Sequence, residues 1–226
     1  PSVTECGIRV EGPLDLDRLK RAVETAAARH EILRTVFHQQ PGVKLPFQVI
    51  REAAAVEWHD IRVGGAPNLV EKSLRDISEK AFDLANGPML RAGVAKVSAN
   101  EHVLVLAAPS LCVDLASLKN LVDDVGSAYE SAVLDADVMQ YADFVEWQHD
   151  LLEGEDTKAG RDFWREYGKK IAPAGTPVLP FMKRSATGFS PASVLKKLPV
   201  EVARPLMAGA ASEAVLLAAW QALLSR

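Results

Sequence analysis

A hydroxyl, a thiol and a carboxylate fall within one short break in the stretch LVLAAPSLCVDLASLKNLVDDV, Leu104 to Val125. An apolar run ends at Pro109, Ser110, Leu111, Cys112 and Val113 follow, and Asp114 precedes an amphipathic pattern that opens at Leu115. A strand that turns straight into a helix is a common way to present reacting side chains, yet none of these residues is a good base. A nucleophilic serine needs a neighbouring base oriented by a third group. The nearest histidine in sequence, His102, lies further up the apolar run, at a position that reads as a strand end. Ser110 therefore reads as a small residue that satisfies local backbone, and Cys112 as a buried, inert small hydrophobe. Pro109 fixes φ and supplies no N–H, which stiffens the bend. Asp114 is placed to cap the helix beginning at Leu115.

The elements that must hold this bend can be read on either side of it. Gly7 to Gly12 alternates apolar and polar residues as a half-buried strand does, and Leu16, Leu19, Val23 and Ala26 recur at helical spacing up to His30, with Asp15 as the cap. Leu33 to Phe37 and Pro46 to Ile50 are β-rich and are split by the turn signal QQPG, which predicts a hairpin. A helix is expected over Leu69 to Lys80. Met89 to Val97 and His102 to Ala108 flank SANE and predict a second antiparallel pair. Helices are expected over Leu115 to Ala132, Met139 to Glu153 and Thr157 to Lys170. A long irregular connection follows over Ala172 to Pro191, then a strand near Ser193 to Leu198 and helices from Val200 and Ser212. Tyr141, Trp147 and Trp164 stand at helical spacings that suggest core. Strands interleaved with long helices indicate an α/β or α+β sandwich, helices packed on a mixed sheet.

Composition narrows the function. With 26 Lys+Arg against 30 Asp+Glu the formal charge is -4 and no basic block is present, which argues against a nucleic-acid partner. Cys6 and Cys112 are too few for a disulfide scaffold and lack zinc-ligand spacing, so free thiols in a reducing cytoplasm are expected. The apolar segment AVLLAAWQALL, Ala214 to Leu224, is shorter than the roughly 20 residues a bilayer requires and reads as a buried helix. No membrane association is expected. The chain opens on Pro1 rather than Met, as a piece of a longer protein would.

Four segments carry a family resemblance: LDLDRLKRAVETAAARHEILRTVF, FDLANGPMLRAGV, EHVLVLAAPSLCVDLASL and YADFVEWQHDLL. Their order and spacing resemble those of condensation domains of nonribosomal peptide synthetases, over Glu5 to Arg226. RHEILRTVF, Arg29 to Phe37, is similar to the family's RHExLRTxF element, and YADFVEWQ, Tyr141 to Gln148, to its YxDFAxWQ element. The resemblance implies a fold like that of chloramphenicol acetyltransferase, in which two lobes enclose a tunnel where carrier-protein arms meet. Residues 1–226 would form the N-terminal lobe, without the usual first helix or the C-terminal lobe. The stretches around Leu134 to Met139 and Ala208 to Ser212 are shorter than the family pattern.

The family's HHxxxDG signature falls on the bend. Its histidines align with Pro109 and Ser110, its aspartate with Asp114 and its glycine with Leu115, so only the aspartate is kept. The second histidine's implied role is to help the acceptor amine attack the donor thioester, and Ser110 is a poor substitute. Asp114 would be structural, paired with Arg34 of the RHExLRT element, or a helix cap alone. His30 and Glu31 read as packing and helix-end residues. The DxxxxDxxS motif of heterocyclising relatives is matched by Asp114 and Ser117 but not by Pro109. The expected function is a catalytically degenerate platform for carrier, adenylation or tailoring partners. It would bind no cofactor of its own and would meet the phosphopantetheine arms of carrier domains. The alternative is an active condensation or acyltransfer enzyme forming an amide, ester or heterocycle with a non-histidine motif.

Overall fold

In the first strand apolar and polar residues alternate, and in the fifth both faces are buried over Leu90 to Ala95; these patterns set their places in a sheet. The computed structural model describes residues 2–61, 75–131, 134, 138–171, 194, 196–207 and 212–225, which group into two compact units, Pro1–Glu153 and Gly154–Arg226.

In the first unit a four-stranded sheet has the order β1-β6-β5-β4, built from β1 (Val3–Glu11), β4 (Val56–Ile61), β5 (Leu90–Ser98) and β6 (Glu101–Pro109). β6 pairs antiparallel with β1 and β5, while β4 joins β5 in parallel, so the sheet is mixed. The expected hairpin around SANE is present, as is the one around QQPG, with β2 (Thr35–His38) antiparallel to β3 (Phe47–Ile50). A 3₁₀ turn, Glu31–Arg34, occupies the start of the first β-rich run. β4 carries no clear alternation and is not anticipated from the sequence.

Helices α1 (Leu16–Arg29) and α3 (Leu115–Tyr129) cover one face. Leu19, Ala22, Val23 and Ala26 of α1 and Leu118, Leu121 and Val125 of α3 pack on Leu90, Ala92, Leu104 and Leu106. Asp15 caps α1 by accepting from the Arg18 N–H at 3.0 Å. Residues 75–79 form a helical segment, α2, and the rest of the expected helix from Leu69 lies outside the described residues. On the sheet face carrying Arg91, Gly93 and Ala95, a Cβ at Gly93 would meet Ile77 Cδ1 at 2.4 Å, so glycine leaves room for the tip of the Ile77 side chain packed there.

Arg91 is 3 % exposed on that face. Its Nε donates to Glu57 at 2.8 Å, and its guanidinium also donates to the carbonyls of Ile77, Lys80 and Ala81. Burial pushes the Glu57 carboxyl up. Hydrogen bonds from Lys80 and Arg91, with their charges, together outweigh burial and hold its pKa at about 2. Because the folded value is depressed, this stabilisation is present above the unfolded value near 4.5 and is lost as pH falls toward 2. Stability measured by denaturant titration between pH 5 and about 2.5 is expected to fall less steeply in Glu57→Gln than in the parent.

The last helix of the first unit is α4 (Tyr141–Glu153). In the second unit lie α5 (Lys158–Ile171), α6 (Val200–Met207) and α7 (Ser212–Leu224). Residues 194 and 196–198 carry no regular structure where a strand was expected, and the irregular connection lies outside the described residues. Tyr141, Trp147 and Trp164 are exposed rather than core, Trp147 by 57 %. The expected buried helix forms as α7, but Leu217 and Trp220 are also exposed. Helical spacing identifies an apolar face without specifying what covers it.

Candidate functional site

At the end of β6 the chain reverses around the Pro109 carbonyl, which accepts from the Cys112 N–H at 2.8 Å and the Val113 N–H at 3.2 Å. Pro109 is fully buried, and its missing N–H costs nothing at the strand end. The Ser110 N–H donates to the Ser2 carbonyl at 2.9 Å. The Thr4 hydroxyl donates to the Val113 carbonyl at 3.1 Å and lies 2.8 Å from Ser110 Oγ. A hydroxyl has one proton, and Thr4 has given its own to Val113, so Ser110 is the donor in the Ser110–Thr4 contact. The serine proton is thus committed to tying the bend to β1.

Nor does a base among the described residues share a hydrogen bond with it. His102 sits near the start of β6, opposite Val10 and Lys96, seven residues before Pro109. Strand rise puts them roughly 23 Å apart. Its Nδ1 is buried without a partner among the described residues. Burial pushes the Cys112 thiol up to about 11, which leaves it protonated and unreactive near neutrality. Leu115 is exposed in the first turn of α3.

Asp114 is the N-cap of α3. One carboxylate oxygen accepts from the Ser117 N–H and the Ser117 hydroxyl, each at 2.7 Å. The backbone hydrogen bond from Ser117, then that from its hydroxyl, hold the Asp114 carboxyl below its ordinary value. The Arg34–Asp114 ion pair is not formed. Arg34 donates to Glu31 Oε1 at 2.8 Å and to the Arg51 carbonyl, so each proposed partner is satisfied locally, within its own turn or hairpin. Of the two roles weighed for Asp114, the geometry is that of a cap alone. Asp114→Ala and Arg34→Ala are each expected to lower the thermal midpoint, and the double variant to show the sum of the two shifts; a direct pair would give a non-additive cycle.

A cavity of 380 Å³ opens beside the bend, lined by Cys112, Val113 and Ser117, by Asn120 and Leu121 of α3, and by the turn after α1. His30 closes α1 and lines this cavity. Its Nε2 lies 2.7 Å from Asp124 Oδ2, and Arg29 Nη1 donates to both oxygens of the same carboxylate at 2.8 and 2.9 Å. Gln140 accepts from the Glu31 N–H and donates to the Arg29 carbonyl, holding the segment before α4 against the end of α1. His30 and Glu31 are thus at a helix end, as expected, but the sequence reading missed the Arg29–Asp124–His30 cluster. Its only signal is that Asp124 falls on the same face of α3 as Ser117, Asn120 and Leu121. Pro109 and Ser110 do not line the cavity.

The whole described chain finds counterparts among known proteins. The family model of the condensation domain matches residues 3–226. Tyrocidine synthase 3 of Brevibacillus parabrevis is 30% identical over 220 residues, which is 97% of this chain and 3% of that protein. The X-domain in a complex with OxyB from teicoplanin biosynthesis is 27% identical with a TM-score of 0.68, over 82% of this chain and 42% of that one. The condensation domain of the monacolin K polyketide synthase MokA, 24% identical with a TM-score of 0.66 over 84% of this chain and 42% of that one, shares the fold. The chain therefore spans a small part of its curated relative and less than half of the solved domains. With the mixed sheet and packed helices already described, it belongs to the condensation-domain family and has that family's chloramphenicol-acetyltransferase-like α/β fold.

Proposed function

We propose that this chain is the N-terminal lobe of a catalytically degenerate condensation-type domain in a cytoplasmic nonribosomal peptide synthetase. It acts as a structural or docking platform for carrier, adenylation or tailoring partners. The observation that carries this reading is the committed Ser110 hydroxyl: where the family resemblance implies a proton-handling imidazole, the side chain donates its only proton to Thr4. Pro109 and Leu115 cannot titrate, and Asp114 is engaged with Ser117. The phosphopantetheine arms met here belong to partner carriers. The relative solved with OxyB motivates a trans-acting tailoring enzyme as one class of partner. The test reconstitutes the full-length protein with loaded donor and acceptor carriers. Absence of condensed product, with carriers still retained, supports the platform; peptide bonds formed at an ordinary enzymatic rate overturn it.

A second reading is supported by one observation. His30, oriented by Asp124, lines a cavity shared with Cys112, Val113 and Ser117, so an imidazole is available near the bend although not at it. On that reading the domain is an active condensation or acyltransfer enzyme, relying on positioning of tethered substrates. Condensation abolished by His30→Phe in the same assay would favour it.

A further inference from the structure

The turn that leads the chain into β5 holds the only Asn-Gly pair of the 226 residues, Asn86–Gly87. In such a pair no Cβ hinders the glycine nitrogen, which can attack the side-chain carbonyl of the asparagine before it. The new C–N bond closes a succinimide while the carboxamide nitrogen leaves as ammonia. Water then opens the ring to an aspartyl or isoaspartyl residue. Nothing is oxidised or reduced, and no cofactor takes part.

Asn86 is exposed, so water reaches it, yet both reacting groups are engaged. The Gly87 N–H donates to the Asp83 carbonyl at 2.7 Å. Asn86 Nδ2 donates to Asp83 Oδ2 at 2.9 Å, while Asp83 Oδ1 accepts from the Ala85 and Asn86 N–H groups at 3.0 and 3.1 Å. The turn is also anchored from outside. Arg51 Nη1 donates to the Asn86 carbonyl at 2.8 Å, and the Phe37 N–H donates to the Leu84 carbonyl at 2.8 Å. The hydrogen bond from the Asn86 carboxamide, then that from its N–H, hold the Asp83 carboxyl below its ordinary value, so it stays an ionised acceptor near neutral pH.

We propose that Asn86 is a latent deamidation site, kept unreacted because Asp83 holds the Asn86 carboxamide on its carboxylate and the Gly87 N–H on its carbonyl. Ring closure requires the Gly87 nitrogen to lose its proton and turn onto the side-chain carbon, so its bond to Asp83 has to break first. The native rate is that of the opened turn, scaled by the small population in which the turn is open. The product cannot restore the turn. A carboxylate formed at position 86 faces the Asp83 carboxylate where a donor stood, and like charges so close repel. An isoaspartyl link also adds a main-chain carbon just ahead of Met89 and Leu90, both fully buried. The step depends on water and this turn alone, and so is independent of what the domain binds or catalyses.

The experiment incubates the full-length protein in mildly alkaline buffer and follows the tryptic peptide Ala81–Arg91 by mass spectrometry for the change from amide to acid. Isoaspartate is counted by enzymatic methylation, and a synthetic peptide of the same sequence gives the unrestrained rate. Asn86 in the protein is expected to react at least about tenfold more slowly than in the peptide. Asp83→Ala should accelerate it about tenfold and Arg51→Met about threefold, with Asp83→Asn between the parent and Asp83→Ala because it keeps one acceptor oxygen. Hydrogen exchange separates this from general loosening: Gly87 should exchange faster in Asp83→Ala while Leu104 and Leu106 of β6 stay protected. Should β6 lose protection in Asp83→Ala, Arg51→Met with β6 intact decides. Equal rates in the parent protein and the free peptide, or no acceleration in either variant, overturn the proposal.

Discussion

Arg91→Met is expected to destabilise the first unit by about 3–5 kcal/mol, read as a lower urea midpoint at unchanged slope. The guanidinium is almost wholly buried and serves Glu57 and three carbonyls from the segment around α2. It also lies 3.8 Å from the centre of the Phe82 ring, a cation–π contact that methionine would replace only in part. Removing it leaves the buried Ile77 carbonyl without this donor and takes from Glu57 its buried cation, with the largely exposed Lys80 and His59 Nε2 at 3.2 Å as that carboxylate's remaining neighbours. Lys80→Met, by contrast, should cost no more than about 1 kcal/mol, because an exposed ion pair gains little in water. Equal effects from the two substitutions would show that the network does not depend on the buried cation.

Ser110→His together with Pro109→His is the complementary experiment on function. A positioned general base is worth roughly a hundredfold to ten-thousandfold in rate, or about 3–5 kcal/mol of barrier. Position 110 is exposed, so an imidazole can be accommodated there; position 109 is buried, and its histidine will be harder to seat. The expected result is condensation by the full-length variant at the low end of that range, about a hundredfold above the parent. Its rate should rise with pH as the new imidazole loses its proton near 6.5. Comparison with Ser110→His alone separates the two positions. A parent protein already as fast as the variant would remove the basis for a degenerate site.

Periodicity located α1, β5, β6 and α3 because each is wedged between layers, and wedging writes itself into the sequence as alternation or as a 3.6-residue stripe. β4 escaped since Val56–Ile61 mixes Glu57, Trp58 and His59 into an edge strand whose polar residues serve the Arg91 network. The Asp114 cap was legible because a cap depends on neighbours three residues away. The Arg34–Asp114 pair was not decidable in the same way: Arg34 had a nearer carboxylate at Glu31, and local geometry won. The Arg29–Asp124–His30 cluster joins residues 95 positions apart, a distance no spacing rule spans. Exposed aromatic faces on α4 and α5 were misread because a stripe specifies amphipathicity and not its cover.

The bond from Ser110 to Thr4 joins residues 106 positions apart, and this has a consequence for biogenesis. The β5–β6 ribbon can zip as soon as it leaves the ribosome, whereas closing a span ten times longer than a short hairpin costs about 2 kcal/mol more in chain entropy. At roughly 5–20 residues per second, the first strand waits about 5–20 s for its mate to be synthesised. Throughout that interval its N–H and C=O groups are an open template for other chains. The bend after β6 therefore cannot be tied to the first strand until residue 110 has been synthesised, long after its partner at residue 4.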